Sequence, residues 1–149
     1  TNASHWGHIN FTKANITFDG DAISTGNFIV DMTSISVDDI SGGGKNRLEN
    51  HLKDDDFFSV DKFNNAELEI LEKSEMIDNK YLIEANLTIK GITNPITFEM
   101  TLVAEDSYKA KLIFDRSKYD VQYRSGSFFE NLGDRLILDD VELEVTLFK

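Results

Sequence analysis

The chain has 149 residues, a length that suits one domain, and 40% of them are hydrophobic, enough to build a sizeable core. Acids outnumber lysine and arginine by 27 to 15, for a net charge of −12. That balance argues against nucleic acid as a partner, because phosphate binding needs a cationic face, and it disfavours docking on anionic lipid surfaces. The chain has no cysteine, so disulfides, thiolate metal sites and cysteine nucleophiles are absent. No apolar run approaches the roughly 18 residues of a membrane span. No signal peptide is visible at Thr1-Asn2-Ala3-Ser4, as expected if a leader has been removed on export.

Taken in order, most segments alternate with a period of two. Ile9 with Phe11 and Ile16 with Phe18 open the pattern. Phe28, Val30 and Met32 share a face in the next segment, and Ala66, Leu68 and Ile70 do so against Glu67 and Glu69. Tyr81, Ile83, Ala85, Leu87 and Ile89 form the longest such face. Ile96, Phe98, Met100 and Leu102, then Ala110, Leu112 and Phe114, and finally Val141, Leu143, Val145 and Leu147 repeat it. Such strands cannot lie in a flat sheet, because each has one apolar and one wet face, so the apolar faces must meet in a sandwich or a barrel. Short turn segments at Asp19-Gly20-Asp21, Asp78-Asn79-Lys80, Gly91-Ile92-Thr93-Asn94 and Glu105-Asp106-Ser107 imply antiparallel neighbours, and an up-and-down barrel follows. The whole chain, residues 1–149, reads as one all-β domain.

The exception is the stretch from Ser41 to Phe58. Gly42-Gly43-Gly44 breaks the preceding strand, and Leu48 and Leu52 are spaced i, i+4, which predicts a short helix over 45–53. Asp54-Asp55-Asp56 then ends the helix and starts a second turn. Phe57 and Phe58 fold back to plug one barrel end, which explains acids running straight into aromatics. A second pair, Phe128 and Phe129, follows Ser125-Gly126-Ser127 and is expected to double that plug.

Catalytic and metal motifs fail on their spacing. Ser41-Gly42-Gly43-Gly44-Lys45 lacks the glycine and the Ser/Thr of a phosphate loop, with Asp39 and Asn46 at those positions. On a strand His5 and His8 diverge, so they do not make a metal site with His51. Asp54-Asp55-Asp56 lacks the glycine and glutamate of a calcium loop. Gly126-Ser127 lacks the second glycine of a nucleophile elbow. Sequons at Asn2, Asn10, Asn15 and Asn86 are expected by chance in a chain this rich in Asn, Ser and Thr. No catalytic or metal-binding residue is expected, and no cofactor.

Four blocks in order are similar to one known family. They are Gly26-Asn27-Phe28-Ile29-Val30-Asp31-Met32-Thr33-Ser34-Ile35, the segment from Leu48 to Phe63, the segment from Leu87 to Phe98, and the segment from Gly126 to Asp134. Together they resemble the YceI-like, polyisoprenoid-binding, lipocalin-like proteins across the whole chain. The resemblance implies an antiparallel lipocalin-like β-barrel with short helices at one end and a deep apolar cavity. It also implies binding of a long isoprenoid or quinone-like tail, no shared catalytic machinery, and a periplasmic or secreted location. Family members carry one more strand ahead of the segment matching Ser4-His5-Trp6-Gly7-His8-Ile9. That first strand is expected to be missing here, whether trimmed, disordered or replaced by another closure. A homodimer is compatible with the resemblance.

The expected ligand residues are the inward positions within those blocks, Phe28, Val30, Met32, Leu87, Ile89 and Phe98, with Met100 just beyond the third. Phe57, Phe58, Phe128 and Phe129 are expected at the mouth. The function expected is lipid carriage or storage. Peripheral lipid exchange without a transmembrane segment fits that role. Two alternatives stay open. One is a filled barrel that serves as a protein-interaction module. The other is an enzyme acting on a small apolar substrate through Asp115, Arg116, Tyr123 or Arg124.

Overall fold

The computed structural model describes residues 4–133 and 137–149. The sequon at Asn2 and the last residue of the fourth block, Asp134, lie outside them. Seven strands form one sheet in chain order: β1 (Gly7–Asp19), β2 (Ala22–Val37), β3 (Asn65–Ile70), β4 (Lys80–Ile89), β5 (Ile92–Ala104), β6 (Ser107–Asp115) and β7 (Asp140–Phe148). Every neighbouring pair is antiparallel, and the sheet curls into a half-barrel whose apolar faces look inward. Helix α1 (Gly42–Lys53) lies between β2 and β3, and a 3-10 turn, Arg116–Tyr119, follows β6.

Alternation puts the expected residues inside. On β4, Tyr81, Ile83, Ala85, Leu87 and Ile89 are all buried, while Leu82 and Glu84 are exposed. On β3, Ala66, Leu68 and Ile70 are buried against exposed Glu67 and Glu69. The two short segments at the start of the chain are one strand, β1, bent by register shifts after His8 and Phe11. A bulge adds a residue on one strand, so each shift resets which residues face in. This keeps Ile9 and Ile16 against the core although they are an odd number of residues apart.

The β4–β5 hairpin turns earlier than the sequence suggests. Lys90 and Gly91, both at positive φ, make the two-residue turn, and Ile92 to Asn94 already belong to β5. Pro95 sits within β5, opposite Asn86 of β4. Proline gives no ladder donor, and it is tolerated there because β5 pairs with β6 only from Met100 onward.

The two ends of the half-barrel differ. At one end, tight turns and aromatics close it: the Tyr81 hydroxyl donates to the Asp21 carbonyl at 2.5 Å, and the Tyr81 and Tyr108 rings lie 6.2 Å apart. At the other end lie α1, residues 54–63, the 3-10 turn, and residues 120–133 and 137–139. The helix begins at Gly42 rather than Lys45, so the three glycines form its first turn. Lys45 anchors it, its ammonium donating to the Val37 carbonyl at 2.8 Å. Asp54 ends the helix, and its backbone carbonyl, not its carboxylate, accepts from Phe57 N at 3.0 Å and Ser59 N at 2.8 Å, which turns the chain inward. Phe57 is then buried, with the Phe58 ring 5.0 Å away.

Seven antiparallel strands in simple succession make β1 and β7 run in the same direction. They are the sheet's two edges and are not paired with each other. They approach at the turn end, where the Lys149 ammonium stands 4.3 Å from the centre of the Phe18 ring.

Candidate apolar binding cavity

The half-barrel encloses a cavity of about 470 Å³, within the range of small-molecule sites, roughly 300–1,000 Å³. Its wall is made by the inward faces of six strands, β1 to β6, together with β7 and the underside of α1. Phe28, Val30 and Met32 of β2 line it, as do Leu87 and Ile89 of β4 and Phe98 and Met100 of β5. Phe57 and Phe58 line it at the helix end. The seven on strands converge on one space because period-two alternation on a curled sheet sends every second side chain to the same axis, and the turn after α1 brings Phe57 and Phe58 to it.

Phe128 and Phe129 do not line this cavity. Both are nearly half exposed, and Phe129 borders a second hollow formed with Asp55, Asp56, Lys90 and Arg124. The reason is the loop that carries them. Asp139 gathers its hydroxyls, with Ser125 Oγ donating to Oδ1 and Ser127 Oγ to Oδ2 at 2.7 Å. That tie buries Ser125 and turns the two phenylalanines outward.

Several lining residues escape a reading of single segments. Leu48 and Leu52 reach the cavity from α1, and Phe11 and Ile16 reach it from β1. Val141, Leu143, Val145 and Leu147 close the opposite side. Their alternation marks them as inward, but only the curl of the sheet sets them across the same space.

The polar groups near the cavity gather at the helix end. His5 and His8 border it, and each imidazole Nδ1 lies 2.8 Å from a carboxylate, of Asp39 and Asp38 respectively. Burial pushes the Asp39 carboxyl up, but the bonds from His5 and the backbone outweigh it and hold it below the usual carboxylate range. His51 packs edge-on to Tyr123, ring centres 4.1 Å apart, with Nε2 3.7 Å from Asp56.

Arg116 is the one arginine with a buried side chain among the described residues. Its guanidinium donates to four backbone carbonyls: Val121 at 2.7 Å, Tyr123 at 2.9 Å, Ile137 at 3.0 Å and Leu138 at 3.2 Å. Burial pulls its pKa down, and the charges of Asp139 and Asp115 oppose that. With its donors spent on the backbone, it holds a loop and does not face the cavity. Asp115 likewise accepts from Ser117 N at 2.9 Å and caps the 3-10 turn. Tyr123 and Arg124 lie beside the second hollow. None of the four residues considered for catalysis lines the apolar cavity. Among the described residues no cluster of three or more His, Asp or Glu could hold a metal ion. No helix there is long and apolar enough to cross a membrane.

A curled antiparallel meander around an apolar hollow, capped at one end by a helix, defines a lipocalin-like β-barrel fold. Within that class, the chain belongs to the YceI-like family, whose domain it matches over residues 1–148. The same fold recurs in BcnA of Burkholderia cenocepacia at 20% identity and a TM-score of 0.71, covering 93% of this chain and 82% of that one. A Campylobacter jejuni YCEI protein matches at 20% identity and a TM-score of 0.68, over 94% of this chain and 82% of that one. A polyisoprenoid binding domain from Saccharophagus degradans, implicated in plant cell wall breakdown, matches at 12% identity and a TM-score of 0.57, over 91% and 80%. No curated protein matches the chain.

Proposed function

We propose that this protein binds the apolar tail of an isoprenoid or quinone-like lipid in the cavity and acts as its carrier or store. The observation that carries the reading is an apolar cavity of about 470 Å³ inside a YceI-like fold. A filled interior would favour a protein-interaction module instead, and this interior is not filled. The binding described for the Saccharophagus degradans domain supports the same class of ligand. The contacts proposed for the tail are Phe28, Val30, Met32, Leu87, Ile89, Phe98 and Met100, with Phe57 and Phe58 at the helix end.

Burial is the driving force, at about 0.8 kcal/mol for each methylene removed from water. The relevant exchange is from a bilayer to the cavity, where both environments are apolar, so uptake and release are nearly balanced. That balance suits delivery. Met32 and Met100 help the wall fit an irregular chain, since thioethers adapt their shape. The reading includes a location in the periplasm or outside the cell, which fractionation of cells making the full-length protein would test.

Mass spectrometry of an organic extract of gently purified protein tests the function. A stoichiometric isoprenoid or quinone-like lipid is the expected result. An extract empty of lipid, unchanged after incubation with such lipids, would sink the proposal.

A further inference from the structure

We propose that the cavity selects amphiphiles with an uncharged head and discriminates against phosphate- or carboxylate-headed chains of the same tail. The inference rests on the lipid-binding reading above and adds the chemistry of the head. Among the described residues the cavity lining contains no lysine and no arginine. Its only groups able to carry positive charge are His5 and His8, and each is already set 2.8 Å from an aspartate. Whatever their protonation, each His–Asp pair presents no net positive charge to a ligand.

Lys45 touches this rim, but its charge is matched there. Its ammonium donates to the Val37 carbonyl at 2.8 Å and to Ser36 Oγ at 3.4 Å, and stands 3.5 Å from the Glu49 carboxylate. On the other side the lining strand β7 contributes the residues Glu142 and Glu144, and Lys111 is engaged by Glu142 at 2.9 Å. The chain as a whole carries −12. An anionic head drawn to this mouth would lose its water without gaining a cation free of a carboxylate partner, and an unpaired charge is the most costly group to desolvate. A hydroxyl, carbonyl or ester needs only single hydrogen bonds, which the Ser36 hydroxyl and the imidazoles at the rim supply.

The test uses two probes with one tail, geranylgeraniol and geranylgeranyl diphosphate. The single tryptophan, Trp6, borders the cavity, so its fluorescence reports occupancy. At neutral pH and low salt, the alcohol is expected to bind about tenfold tighter or more, and the gap should narrow as salt screens the repulsion. Replacing Leu48, which lines the cavity from α1, by lysine should raise the diphosphate-to-alcohol affinity ratio by about tenfold. Equal or tighter binding of the diphosphate to the unaltered protein overturns the head-group inference and leaves the lipid-binding reading standing. An unchanged ratio in folded Leu48→Lys protein also overturns it. Failure of both probes to bind folded protein overturns the lipid-binding reading as well.

Discussion

Arg116 stands over the ring of Phe57, with its guanidinium carbon 5.1 Å from the ring centre. The contact joins two distant parts of the chain at the helix end. Phe57 lines the apolar cavity, whereas Arg116 holds the carbonyls of Val121, Tyr123, Ile137 and Leu138. One buried cation therefore braces both the aromatic plug and the loop outside it.

Loss of Arg116 should be severe. Arg116→Met keeps much of the volume but strands four carbonyls and leaves Asp139 without its cation. A loss of about 3–5 kcal/mol in urea unfolding is expected, the range for breaking a buried ionic contact from one side. A loss below about 1 kcal/mol would show that water replaces the guanidinium readily.

The same site sets a pH dependence. Burial raises the Asp139 carboxyl, but Ser125, Ser127 and Arg116 outweigh it, and its folded pKa lies below the ordinary value. A depressed carboxylate pKa contributes stability that is present above the unfolded pKa and lost as pH falls through the folded one. The stability gap between the parent and Asp139→Asn should therefore be widest near neutrality. It should shrink as pH falls through the ordinary carboxylate range and close below the lowered pKa of Asp139. Urea midpoints of both proteins across that range check it; a gap independent of pH contradicts the assignment.

Charge inside the cavity should abolish retention of an apolar ligand. Leu87 is buried on β4, and Phe98 lies on β5 opposite Ile83; both line the cavity. Leu87→Asp or Phe98→Glu should release a bound lipid during purification, because the carboxylate meets no partner there. Circular dichroism separates this from unfolding. A folded variant that retains lipid would remove these positions from the site.

The start of β1 has no room for a side chain at Gly7. A Cβ there would sit 1.8 Å from the Ser36 carbonyl oxygen, a backbone atom that cannot rotate away. Gly7→Ala should part the β1–β2 pairing at the rim and cost about 1–3 kcal/mol, the range for overpacking. Faster amide exchange at Ser36, Val37 and Asp38 than in the core of β2 would locate the damage at the rim. Exchange unchanged at these amides would mean that the strand end shifts without strain.

The sequence by itself determined the inward face along the regular strands and the antiparallel succession of neighbours. Tyr81 to Ile89 alternate so regularly that only one face could be buried, and this follows from the period-two geometry of a strand. It also determined that acids would precede the Phe57–Phe58 pair, since Asp54 ends a helix whose apolar spacing is visible. What only the tertiary structure decided depends on contacts between residues far apart in the chain. Phe128 and Phe129 read like a second plug, but Asp139 draws Ser125 and Ser127 together and turns the rings outward. Arg116 reads like a charged residue at a strand end, and its burial follows from carbonyls up to 22 residues away. The open edges β1 and β7 and the shared cavity likewise arise from how far the sheet curls. Local alternation sets the face a residue takes, but curl and closure sum small twists over all seven strands, and no single segment encodes that sum.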